Sequence, residues 1–150
     1  MELAIEGKSA LILGGTKGLA FSCARHLAQA GGRVAVNGRD PAEGAEAARS
    51  LGPGAVFVRG DVSQADEPAR LIGEARKALG PIDILVTNAG GPPTGQFTDH
   101  DIDTWRRALE TNMLAAIEAA RLLLPDMIAA GFGRIVNITS FAVKEPYPNM

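Results

Sequence analysis

The residues Gly14-Gly15-Thr16-Lys17-Gly18-Leu19-Ala20 set two glycines four positions apart with a hydroxyl and a cation between them. At the mouth of a helix such a stretch lets backbone amides approach a pyrophosphate, which the positive end of the helix favours. A glycine-permitted tight turn accounts for the same spacing without a ligand. Asn37-Gly38-Arg39 has no carboxylate to accept from two ribose hydroxyls, and its guanidinium, with Lys17, could pair with a ribose 2′-phosphate. Two solvated surface cations are the plainer account. Gly60-Asp61-Val62 offers an acceptor for the exocyclic amine of adenine, or else a helix cap, a duty Ser63 could equally perform. Thr87-Asn88-Ala89-Gly90 joins an amide that can brace neighbouring strands to two small residues that admit a flat ring; a plain turn uses the same residues. Ser140 closes Asn137-Ile138-Thr139-Ser140 with a hydroxyl that can polarise an oxygen or bond to its own backbone.

These groups act together only if the fold brings them to one edge. Short runs rich in Val, Ile and Leu alternate with longer amphipathic stretches, the pattern of strands and helices in turn. Strands are expected at about Ala10 to Leu13, Arg33 to Asn37, Ala55 to Arg59, Ile82 to Thr87 and Gly133 to Thr139, and helices at about Gly18 to Ala30, Pro41 to Leu51, Gln64 to Leu79 and Asp101 to Ala130. Asp40 followed by Pro41 suits a helix start, and Gly31-Gly32, Gly52 and Gly80 suit helix ends. Nearly continuous apolar strands call for helices on both faces of a parallel sheet. Right-handed crossovers then give an α/β, doubly wound, Rossmann-like sheet with its five strands ordered 3-2-1-4-5. In such a sheet ligands bind beyond the carboxyl ends of the strands, where all five stretches fall.

In the long fourth helix Trp105, Leu109, Asn112, Met113, Ala116, Ile117, Ala120 and Leu124 recur at three- and four-residue intervals, which puts Asn112 on an apolar stripe. A buried amide left unpaired costs about 1 to 3 kcal/mol, so Asn112 belongs to a hydrogen-bond network or to a site.

Composition narrows the partners. A chain of 150 residues with 46% hydrophobic positions is read as a single domain spanning residues 1–150, with no room for a second. The net charge of -2, without a basic run, gives no footprint for nucleic acid or an anionic membrane. One cysteine, Cys23, forms no intrachain disulfide and is expected in the core; His26 and His100 lack partner ligands, so no metal is expected. With no leader segment and no long apolar run, the expected setting is the cytoplasm. A phosphate-loop Gly-Lys-Ser/Thr is missing, which argues against a nucleotide hydrolase on a similar sheet.

Taken in order and spacing, Gly14-x-x-x-Gly18, Asp61, Thr87-Asn88-Ala89-Gly90, Asn112 and Ser140 resemble the motifs of the short-chain dehydrogenase/reductase superfamily across essentially the whole chain, and Gly7-Lys8-Ser9-Ala10-Leu11-Ile12-Leu13-Gly14 resembles its first strand. The resemblance is strongest to 3-oxoacyl carrier protein reductases and their sugar or polyol dehydrogenase relatives. It implies that the glycine loop (Gly14, Thr16, Lys17, Gly18, Leu19) with Arg39, Asp61 and Val62 holds the adenosine half of NADP(H), in preference to NAD(H), and that Asn88, Ala89 and Gly90 line the cofactor site. It further implies that Ser140 hydrogen-bonds the substrate oxygen, that Asn112 helps hold a proton-relay water, and that the family member is a homo-oligomer acting on a small carbonyl or alcohol. Leu13 and Ala20 depart from the family's threonine and third glycine. The family's Tyr-x-x-x-Lys has no counterpart here, since Tyr147 is too close to Ser140 and lacks a lysine four positions on. The expectation is therefore a domain incomplete at its C-terminal side, with the last strand uncovered, and a catalytically silent NADP-binding module as the competing reading.

Overall fold

The computed structural model describes residues 4–64 and 66–145; Tyr147 lies outside them. Among the described residues five strands and five α-helices follow in the order β1 (Ser9–Ile12), α1 (Gly18–Gln29), β2 (Arg33–Gly38), α2 (Pro41–Leu51), β3 (Val56–Arg59), α3 (Glu67–Leu79), β4 (Ile84–Thr87), α4 (Ile102–Leu109), α5 (Ala115–Ala129) and β5 (Arg134–Asn137). All pairings are parallel and the order is β3-β2-β1-β4-β5, as the crossovers require. Alternate residues of one strand feed two separate cores. Leu11, Ala35, Val58 and Leu85 meet α3 and α5 through Leu71, Ile72, Ala75, Ala119 and Leu123. Ala10, Ile12, Val34, Val36, Ile84 and Val86 meet α1 and α2 through Ala20, Ala24 and Ala47. This two-sided burial is why the strands read as unbroken apolar runs.

Three expectations need correction. The third helix begins at Glu67, not Gln64, because two successive turns (Gln64 N to Asp61 O, 3.1 Å; Glu67 N to Gln64 O, 3.1 Å) precede it and Pro68 fits only its first turn. Neither Asp61 nor Ser63 caps it; Asp66 holds the cap position without a side-chain bond. The helix expected from Asp101 to Ala130 is two helices joined by a π turn at Glu110–Leu114. The apolar stripe drawn through both halves lies away from the sheet. The core-facing row is Ala115, Ala119, Leu123 and Met127, while Trp105, Leu109, Met113, Ile117 and Leu124 stand 42 to 53% exposed, and Asn112 is exposed with them.

The last strand is uncovered, as expected: all four residues of β5 are exposed, including Ile135 and Val136.

Candidate functional site

The carboxyl ends of the strands converge because their loops are bonded to one another. Asn37, the penultimate residue of β2, is 2% exposed and ties three loops. Its Nδ2 donates to Val58 O (3.0 Å) and Gly60 O (3.1 Å), and its Oδ1 accepts from Gly14 N (3.4 Å). A buried amide must be satisfied in this way, so the bonds fix the floor of the site. Asn88, just past β4, donates from Nδ2 to Gly14 O at 3.4 Å, and Thr87 Oγ1 donates to Asn137 Oδ1 of β5 at 2.7 Å.

Glycine is needed in the first loop for both space and backbone shape. Gly14 has φ +59°, and a Cβ there would lie 2.7 Å from Asn88 O. Gly18 also has a positive φ, +61°, but a Cβ on it would meet nothing within 4 Å, so its open side faces the space beyond the strands. Lys17 stands at the cap position of α1 without capping it through its side chain, and the first turn of α1 has no acidic residue. The orphan amides of that turn are therefore open to an anion.

These loops enclose a cleft of about 680 Å³, within the usual range for a small-molecule site. Gly14, Thr16, Lys17, Gly18, Leu19, Arg39, Asp61, Val62, Asn88, Ala89 and Gly90 all line it, and so does Asn112. Ser140 does not. It is exposed at the end of β5, where its Oγ accepts from Ala142 N (3.1 Å) and caps a short 3-10 turn, Phe141–Val143. Asn112 borders the cleft inside the π turn, with Nδ2 donating to Ala108 O at 3.1 Å. Such turns disrupt regular helix bonding and are frequent at functional sites.

Charge is arranged in opposed pairs around the cleft. Lys17 Nζ bonds Glu43 Oε2 at 2.9 Å, Thr16 Oγ1 donates to Glu43 Oε1, and Arg39 Nη1 lies 3.9 Å from Asp61 Oδ2. The bonds from Thr16 and Lys17 hold the Glu43 carboxyl below its usual range. Backbone amides of Glu43 and Ala42 do the same for Asp40, the cap of α2. Asp61 folds its loop, its Oδ1 accepting from Ser63 N and Ser63 Oγ at 3.1 and 2.8 Å.

Sequence reasoning missed Asn37 and Glu43. A polar residue closing an apolar strand was a signal for the first. The Asp40-x-x-Glu43 spacing of a capping box was a signal for the second, although Glu43 here turns to Lys17 and Thr16 instead. Among the described residues no group of three His, Cys, Asp or Glu could hold a metal, and no helix is long and apolar enough to cross a membrane.

Comparison with known proteins gives the same architecture a family. Residues 8–150 match the family model for short chain dehydrogenases. Ketoacyl reductase HetN of Nostoc is 36% identical over 144 residues, covering 94% of this chain and 50% of its own. The L-sorbose reductase of Gluconobacter frateurii, solved with NADPH and L-sorbose, superposes with a TM-score of 0.93 at 30% identity, covering 98% of this chain and 57% of that one. An actinorhodin polyketide ketoreductase solved with NADPH gives 0.88 at 31% identity, with coverage of 95% and 56%. The chain belongs to the short-chain dehydrogenase/reductase family. It spans about half the length of the curated relatives it matches.

Proposed function

We propose that the protein is an NADP(H)-preferring oxidoreductase that reduces a carbonyl to an alcohol, with a 3-oxoacyl or sugar-like substrate. The observation that carries this is the cleft itself: a glycine-walled helix mouth flanked by Lys17 and Arg39, with β2 ending in the buried, fully engaged Asn37 and Gly38, so that no carboxylate stands at the strand end to bind ribose hydroxyls. A dinucleotide fits these residues, because the first turn of α1 leaves amides for a pyrophosphate and the open side of Gly18 admits it closely.

In this reading Gly14, Gly18 and Leu19 hold the pyrophosphate, Thr16, Lys17 and Arg39 the ribose phosphate, and Asp61 with Val62 the adenine. Asn88, Ala89 and Gly90 border the nicotinamide half. When bound, the cofactor supplies a hydride to the carbonyl carbon. Ser140 supplies the hydrogen bond to the substrate oxygen: its Oγ already accepts from Ala142 N, which leaves the hydroxyl proton to give. Asn112 sits where a water carrying the proton would be held, next to the irregular backbone of the π turn. The ketoacyl reductases and the sorbose reductase among the similar proteins support the two substrate classes.

The test is a fluorescence titration with NADPH and NADH, followed by addition of a 3-oxoacyl thioester or a ketose while NADPH absorbance is followed. Tighter NADPH binding and consumption with either substrate are expected. Equal or tighter NADH binding would remove the cofactor preference, and binding without consumption of either substrate class would favour a silent dinucleotide-binding module.

A further inference from the structure

The cations offered to a ribose phosphate are not free in the structure. Glu43 receives both Lys17 Nζ, at 2.9 Å, and Thr16 Oγ1, so one carboxylate occupies two of the three groups that would hold that phosphate. Its position is set by the backbone. Pro41 and the Asp40 cap start α2, and Asp40 Oδ1 accepts from Glu43 N at 2.9 Å, which points the first turn of α2 at the glycine loop. The two loops also interlock sterically, since a Cβ on Gly38 would lie 2.6 Å from Thr16 Cγ2. Lys17 and Arg39 thus share one corner of the cleft with the carboxylates of Asp40 and Glu43, and Asp61 lies 3.9 Å from Arg39.

A dianionic phosphate entering this corner must displace Glu43 from Lys17 and Thr16 and then sit beside its charge. A ribose with a free 2′-hydroxyl has neither difficulty, because a hydroxyl can donate to the carboxylate. We propose that Glu43 is a specificity-determining residue that competes with the 2′-phosphate for Lys17 and Thr16, and so sets how strongly the cleft discriminates NADPH from NADH. This rests on the cofactor reading above. Glu43 restrains a preference that Lys17 and Arg39 would otherwise express more fully.

Two consequences separate this from a purely structural ion pair. Glu43→Gln keeps the shape and a partner for Thr16 but removes the charge, so it tightens NADPH and the probe adenosine 2′,5′-bisphosphate by about three- to tenfold while leaving NADH nearly unchanged. Lys17→Ala then weakens NADPH more in the Glu43→Gln background than in the unaltered protein, because only there is the lysine released.

The experiment is an equilibrium titration of the four proteins of this cycle with NADPH, NADH and adenosine 2′,5′-bisphosphate, each protein first checked by its thermal melt. Glu43→Ala serves as a second variant if Glu43→Gln melts early. A rise in the NADPH to NADH affinity ratio with a non-additive cycle supports the proposal, whichever cofactor the unaltered protein prefers. An unchanged ratio, or a proportional change for both cofactors, overturns it. Should the unaltered protein favour NADH while Glu43→Gln still raises the ratio, the cofactor preference proposed above fails and the role of Glu43 stands.

Discussion

Replacing the side-chain nitrogen of Asn37 by oxygen tests whether one residue holds the floor of the cleft. Asn37→Asp is isosteric, so any effect comes from hydrogen bonding and charge. The two bonds from Nδ2 to Val58 O and Gly60 O are lost, at about 1 kcal/mol each. The new carboxylate also faces two carbonyl oxygens at a site only 2% exposed, which favours its neutral form in the folded state. A rise of about two pKa units adds about 2.8 kcal/mol at pH 7, since each unit is worth about 1.4 kcal/mol. The total loss is then about 4 to 5 kcal/mol. Because the folded pKa is raised for an acid, the ionisation penalty is absent below the unfolded value near 4, grows as the pH rises, and levels off above the folded value. The gap to the unaltered protein should therefore be about 1 kcal/mol smaller at pH 5 than at pH 7. Urea unfolding followed by circular dichroism at both values measures it. A loss below about 1 kcal/mol that does not vary with pH would refute the three-loop role of Asn37.

Other substitutions probe the neighbouring contacts. Gly44→Ala should lower the urea midpoint by an amount equivalent to about 1 to 3 kcal/mol, because the added Cβ would lie 2.1 Å from the Phe57 ring and overpacking outweighs better helix propensity; an unchanged midpoint would mean that Phe57 moves aside. Gly14→Ala, at φ +59° and 2.7 Å from Asn88 O, should weaken NADPH binding by at least about tenfold, and retained affinity would show that the loop tolerates distortion. The carboxyls of Asp40, Glu43, Glu67, Asp101 and Glu118 are all held low in the folded protein by hydrogen bonds to their ionised form. Their contribution is present above the ordinary values of 3.8 and 4.5 and is lost as the pH falls through the depressed ones, so the melting temperature should decline steeply only below about 4, with a decline beginning at neutral pH counting against it.

How much of this was legible beforehand follows from which physics leaves a local trace. Strand order was readable because apolar runs such as Ala10 to Leu13 and Ile82 to Thr87 admit only a sheet buried on both faces, and crossover handedness does the rest. The gathering of Gly14, Asp61 and Asn88 around one cleft followed from the same topology. The π turn left no trace, because Glu110 to Leu114 has an ordinary helical composition and the extra residue appears only in the backbone bonding. The stripe drawn through Asn112 failed because it was taken for the buried face, whereas the row Ala115, Ala119, Leu123 and Met127 faces the core. Asn37 and Glu43 escaped for a different reason: their partners are 21 to 27 positions away in the chain, and no window of periodicity spans that distance.

The bonding of Asn37 also restricts how the cofactor preference proposed above could be re-engineered. The direct route toward NADH is a carboxylate at the end of the second strand, yet position 37 cannot take one without unfastening the loops of β1 and β3. Position 38 is closed as well, because any side chain there runs into Thr16. Arg39, exposed and bonded only loosely to Asp61, is the first position that can be redesigned freely. A library aimed at cofactor choice is best confined to residue 39 and to Glu43 at the same corner of the cleft, with the strand end left untouched.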